Sequence, residues 1–129
     1  MLCIFWAEIL VKNLPLLNRF LHAALGLAAA VRNESNFRIQ IVLGVLAIAV
    51  TLALSPPPIW IALVVIMIGA VLAAELINTA LEHALDAVHP DTSPLVKIAK
   101  DCGAAAVLML SITAVVVFVL MILTLVHGN

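Results

Sequence analysis

Residues 59–86 read IWIALVVIMIGAVLAAELINTALEHALD, and the change of character part-way along them decides the architecture. Residues 59–74 carry no charge at all. A run of this kind approaches the ~20 apolar residues needed to cross a bilayer's hydrocarbon core. Polar groups then return at Glu75, Asn78, Glu82 and Asp86, at intervals of three, four and four residues. At about 100° per residue these positions form one stripe, about 16 Å long, on one face of a helix. Glu75 is the most informative of them, because apolar residues flank it on both sides. A carboxyl group inside a span is costly unless it meets partners or water, so a functional role is the default reading. The plainer reading, that Glu75 and Asn78 only join helices by hydrogen bonds, explains less of the stripe.

Working outward, spans are expected at about 37–54, 59–82 and 104–126, and the first is short enough to need Phe37 or a tilt. Over the whole chain of 129 residues, 66% are hydrophobic and 10% charged, which excludes an ordinary soluble domain. The spans leave no room for a separate soluble module, so a single membrane domain over 1–129 is expected. Upstream, Asn18, Arg19, His22, Arg32 and Asn33 are interleaved with Leu17, Phe20, Leu21, Leu25, Ala28 and Val31. That pattern suits an amphipathic helix lying in the membrane surface over about 16–34. Ser55-Pro56-Pro57-Pro58 stops the first span as an uncharged hairpin, while Ser93 and Pro94 read as the N-cap and first residue of the third. The fold class is all-α and integral to the membrane: three transmembrane helices plus an N-terminal surface helix.

All six basic residues lie between Lys12 and Arg38 or at Lys97 and Lys100. The positive-inside rule then places the N-terminus and the second connection in the cytoplasm, with the Pro-rich hairpin on the far side. The acidic residues follow the same division, from Glu8 to Glu34 and from Glu75 to Asp101. The opening residues 1–11 contain Glu8 and have no basic residue before them, so a cleaved signal peptide is not expected. Cys3 and Cys102 follow no metal or redox spacing. His22, His83, His89 and His127 have no ligand spacing either and are read as non-catalytic.

Lys97, Lys100 and Asp101 stand three and four residues apart on the opening turns of the third helix, across a short connection from the carboxylate stripe. Carboxylates for Mg²⁺, lysine and a helix N-terminus for phosphates together suit a nucleotide. Glu34 and Arg38, at the start of the first span, are placed to close that site from another helix or another subunit, although Arg38 suits a lipid phosphate equally. Neither a Gly-x-x-x-x-Gly-Lys-Ser/Thr loop nor a kinase Gly-rich loop is present, so phosphoryl transfer would need another architecture. The competing reading is a non-enzymatic oligomeric proton or ion carrier that relays through Glu75. Such a path needs polar groups through the whole depth of a span, and the outer half of the second span has none.

The run from Ala74 to Asp86, Ala-Glu-Leu-Ile-Asn-Thr-Ala-Leu-Glu-His-Ala-Leu-Asp, followed by Lys-Ile-Ala-Lys-Asp-Cys-Gly-Ala-Ala-Ala-Val at 97–107, resembles the signature of the prokaryotic diacylglycerol kinase family. Asn33-Glu-Ser-Asn-Phe-Arg38 and the set Phe20, Ala23 and Gly26 resemble its upstream motifs. The resemblance implies a homotrimer in the bacterial inner membrane that transfers the γ-phosphate of MgATP to the hydroxyl of a membrane lipid alcohol at the cytoplasmic interface. It implies Glu75 as general base, Glu34 and Glu82 as metal ligands, and Asn78 as a positioning group. Lys100 and Asp101 would bind nucleotide, and Asp86 is placed with them. The partners so implied are the lipid alcohol, MgATP and the membrane, with no nucleic acid. Gln40 stands where the enteric branch has an acid and Ala104 where it has a serine. Asn-Phe-Arg-Ile-Gln and Lys-Ile-Ala-Lys-Asp look closer to the branch acting on undecaprenol, and undecaprenol and diacylglycerol both stay open as acceptor.

Overall fold

A computed structural model describes residues 16–88 and 93–127. The opening stretch 1–11 with Glu8 and Cys3, Lys12, and the connection 89–92 with His89 and Asp91 lie outside the described residues. The chain divides after Asn33 into two units. The first contributes helix α1, Leu16–Asn33, with Arg32 in its last turn, where a cation complements the helix dipole.

The second unit holds α2 (Ser35–Leu54), α3 (Pro58–Val88) and α4 (Pro94–His127), all three long and apolar enough to cross a membrane. Each of the three expected spans falls within one of these helices, and two helices run well past them. At ~1.5 Å per residue the 31 residues of α3 and 34 of α4 reach roughly 46 and 51 Å, against a hydrocarbon core of about 30 Å. The excess carries the polar residues. It forms because Leu81, Ala84 and Leu85 are good helix formers and nothing interrupts them before Val88.

Local chemistry sets the ends. Glu34 caps α2 in an extended conformation without using its side chain, which leaves the carboxylate available to other partners. At the far end Ser55 takes the left-handed conformation at φ 48°, and its N–H reaches the carbonyls of Thr51 and Leu52, both at 3.2 Å. Pro56 and Pro57 cannot continue the helix, and Pro58 opens the next one, where a missing N–H does no harm. Ser93 caps α4 as its sequence suggests, its Oγ accepting from the N–H of Leu95 at 3.3 Å.

Helix α3 is the centre of this unit and packs against both α2 and α4. A glycine marks each crossing. A Cβ on Gly44 would lie 3.0 Å from Ile68 Cγ2, so this position lets α2 approach α3 closely. On the other side a Cβ on Gly103 would overlap the side-chain oxygen of Asn78. Phe37, Val64, Val71, Val107 and Met121 are buried, while most other large apolar side chains stay exposed on the chain taken alone. That is the expected surface for helices whose solvent is lipid or another copy of the chain.

Candidate functional site

The stripe predicted on one face of α3 runs unbroken through the second unit, and neighbouring helices meet it at three depths. Deepest is Glu75, which is only 5% exposed. Gln40 of α2 donates from Nε2 to Glu75 Oε2 at 3.4 Å. The other amide atom, Gln40 Oε1, is buried and has no partner among the described residues.

One turn outward, Asn78 Nδ2 donates to Glu82 Oε1 at 2.9 Å. Its Oδ1 is buried against Gly103 of α4, without a partner among the described residues. At the same level His83 Nε2 lies 3.6 Å from Glu34 Oε1. Glu34 and Glu82 are both near enough to act electrostatically on Glu75. Three carboxylates therefore share one small region, with His83 beside Glu34.

The outermost level is ionic. Lys100 of α4 donates to Asp86 Oδ1 of α3 and ties the two helices together, its side chain 31% exposed. Lys97 donates to Asp101 Oδ2 at 3.1 Å within one turn of α4, with the lysine side chain 78% exposed. An exposed pair of that kind contributes little, and either member is available to a ligand. Of the residues singled out in the sequence, Glu75 meets α2 at Gln40, Asn78 joins Glu82 and lies against Gly103 of α4, Glu34 lies beside His83 of α3, Asp86 and Lys100 pair across α3 and α4, and Asp101 meets its helix neighbour Lys97.

Two residues of this arrangement carried no functional weight in the sequence. His83 has no ligand spacing in the sequence, and its ring lies beside Glu34. Gln40 stood out only as a departure, yet it is the partner of Glu75. Helix depth supplies a signal that finds both. Gln40 lies six residues below Glu34 on α2 and Glu75 eight residues below His83 on α3, or about 9 and 12 Å, so antiparallel helices bring both pairs level.

Below Glu75 the three helices border a half-open cavity of about 270 Å³. Gln40 and Gly44 of α2, Val71 and Leu72 of α3, and Ser111 and Phe118 of α4 are among the residues lining it. Its polar side chains are Gln40 and Ser111, and Ser111 Oγ is already committed to the carbonyl of Val107 at 2.9 Å. Thr51, Thr113 and Thr124 likewise donate to carbonyls of their own helices. Polar chemistry thus ends at Gln40 and Glu75, and beneath them lies a space suited to hydrocarbon.

Among the described residues no three His, Cys, Asp or Glu side chains converge as a ready-made metal site. Mg²⁺ does not require one, since it commonly takes one or two carboxylates and completes its octahedron with water and substrate phosphates. Glu34 and Glu82, both close to Glu75, are carboxylates of the type that mode uses.

The sequence profile of the prokaryotic diacylglycerol kinases matches residues 21–122, a stretch containing every residue of this site. The chain belongs to the prokaryotic diacylglycerol kinase family. Within the family it is 40% identical over 103 residues to a diacylglycerol kinase of Synechocystis, covering 79% of this chain and 59% of that protein. It is 30% identical over 104 residues to the undecaprenol kinase of Bacillus subtilis, covering 81% and 85%, and 33% identical over 97 residues to the diacylglycerol kinase of Escherichia coli, covering 75% and 80%. The chain thus spans about three fifths of the Synechocystis relative and most of the other two.

Proposed function

We propose that this member of the family is a lipid kinase that transfers the γ-phosphate of ATP to the hydroxyl of a membrane lipid alcohol, undecaprenol or diacylglycerol. The observation that carries the reading is the position of Glu75, a buried carboxylate between an apolar cavity on one side and a cluster of acids and lysines on the other. A lipid alcohol with its chain in the cavity brings its hydroxyl to Glu75 from below. A nucleotide held by the charged groups brings its γ-phosphate from above. Phosphoryl transfer asks for little more than this alignment together with charge neutralisation.

In this reading Glu75 accepts the hydroxyl proton as the oxygen attacks the γ-phosphorus; the new O–P bond forms, the bond from phosphorus to the β-bridging oxygen breaks, and ADP leaves. Glu34 and Glu82 hold Mg²⁺, which when bound offsets the negative charge of the phosphates. Asn78 keeps the Glu82 carboxylate in place through its amide N–H. Lys100 exchanges Asp86 for a phosphate oxygen, and Asp101 and Asp86 complete the nucleotide contacts. The clustering of basic residues at one end of the spans supports a cytoplasmic site in the bacterial inner membrane. A homotrimer accords with the extensive apolar surface that the spans of a single chain leave uncovered.

The test is incubation of the purified protein in lipid with γ-labelled ATP and Mg²⁺, offering undecaprenol and diacylglycerol separately. Labelled undecaprenyl phosphate or phosphatidic acid identifies the acceptor. The variant Glu75→Gln, which keeps size and hydrogen bonding but cannot take a proton, should lose roughly 10²–10⁴-fold in rate while staying folded. Full turnover by that variant, or no labelled lipid from a folded wild type, overturns the reading.

A further inference from the structure

Glu82 and Glu34, the two carboxylates assigned to the cation, are not held alike. Glu82 Oε1 accepts from Asn78 Nδ2 at 2.9 Å, one turn away on the same helix, which leaves its second oxygen for a ligand. Glu34 stands just before α2 with an extended backbone, and its side chain makes no cap bond to that helix. A free glutamate side chain samples many rotamers, and that freedom is lost when a ligand fixes it. Mg²⁺ demands near-ideal octahedral geometry, so a carboxylate oriented beforehand binds it better than one ordered on its arrival.

The group that reaches Glu34 comes from α3. His83 Nε2 lies 3.6 Å from Glu34 Oε1, just beyond hydrogen-bond length. His83 stands about 100° around α3 from Glu82, on the flank where Glu75 meets Gln40 and Ile68 meets Gly44. A small turn about its broad ring torsion brings Nε2–H onto Oε1 without moving either helix. Imidazole suits this place chemically, because it offers an N–H without the permanent charge of lysine or arginine, whose ion pair with Glu34 an incoming dication would have to displace.

We propose that His83 is the positioning residue for Glu34: its Nε2–H holds Oε1 across the boundary between α2 and α3, so that Oε2 is presented to the divalent cation accompanying the nucleotide. Helix α3 then supplies one N–H donor to each carboxylate, Asn78 to Glu82 and His83 to Glu34. This rests on the lipid-kinase reading above and adds a residue to it. In this role His83 meets neither the phosphates nor the lipid. Its side chain is 66% exposed, so the contact contributes little to folding, and its effect belongs in cation affinity and not in melting.

The test uses the full chain in detergent with Mn²⁺ as the probe, free Mn²⁺ being read by electron paramagnetic resonance with and without a non-hydrolysable ATP analogue. It compares wild type, His83→Leu, His83→Gln, Glu34→Gln and the double variant His83→Leu with Glu34→Gln. The Mg²⁺ concentration for half-maximal lipid phosphorylation, the KM for lipid and the melting temperature are measured on the same samples. Loss of a ligand's supporting partner weakens metal affinity by roughly 10–100-fold. His83→Leu should therefore weaken Mn²⁺ binding about tenfold or more, raise the Mg²⁺ requirement by a similar factor, and leave the KM for lipid and the melting temperature unchanged. His83→Gln, which keeps an N–H donor, should recover most of the loss. In the Glu34→Gln background the leucine change should add little, since the carboxylate it acts on is gone. Mn²⁺ affinity of His83→Leu within about twofold of wild type overturns the proposal, as does an equal loss in the Glu34→Gln background or a folded wild type that binds no Mn²⁺. Mn²⁺ binding is read apart from turnover, so a wild type that labels neither lipid, yet loses Mn²⁺ affinity on His83→Leu, refutes the kinase reading while supporting the role of His83 toward the cation.

Discussion

Replacing Gly103 with alanine puts a methyl group where Asn78 Oδ1 now lies, and the next nearest side chain, Leu81 Cδ2, would be at 3.4 Å from it. The atom in the way is the tip of a side chain, not backbone, so the amide turns before the helices part. Turning it withdraws Nδ2 from Glu82 Oε1, now 2.9 Å away. A hydrogen bond to a charged acceptor is worth about 1.5–3 kcal/mol, which corresponds to roughly 10- to 150-fold in an equilibrium or rate. We therefore expect Gly103→Ala to lose phosphoryl transfer by about that factor while its thermal stability in detergent falls by no more than the roughly 1–3 kcal/mol of ordinary overpacking. The decisive assay is a double-mutant cycle on lipid phosphorylation. In an Asn78→Ala background there is no amide left to displace, so adding Gly103→Ala should change activity little. If Gly103→Ala is equally damaging in both backgrounds, the glycine acts by helix spacing alone and the coupling from Gly103 through Asn78 to Glu82 is refuted.

Lys100→Met should raise the KM for MgATP several-fold, since Lys100 is the lysine set between α3 and α4, whereas Lys97→Met, in an exposed pair on one helix, should stay within about 0.5 kcal/mol of wild type in stability and alter that KM less. Equal effects in steady-state kinetics would contradict the assignment of nucleotide binding to the inter-helix level. Glu34→Gln and Glu82→Gln should each shift the Mg²⁺ concentration for half-maximal rate upward, by at least the roughly 10–100-fold that loss of a ligand's supporting partner brings. A magnesium titration at fixed ATP that is unchanged in both variants would remove them as metal ligands.

The legibility of this chain follows the range of the physics involved. The spans, the hairpin at Ser55-Pro56-Pro57-Pro58, the Ser93 cap and the stripe through Glu75, Asn78, Glu82 and Asp86 are all local. Apolar length, proline sterics and the 3.6-residue turn act within one helix, so each could be read before any helix was packed. What could not be read is which side of α2 and α4 faces α3. Both are apolar nearly all round, and a helix with no polar face carries no mark of its inward side. The contacts that depend on that choice came only with the tertiary structure: Gln40 on Glu75, His83 by Glu34, Asp86 with Lys100, and Asn78 against Gly103. Side-chain identity and helical period determined that a carboxylate lies inside the membrane; the depth and facing of three packed helices decided what stands beside it, because in lipid those are set by close packing at small residues such as Gly44 and Gly103 and not by a hydrophobic pattern.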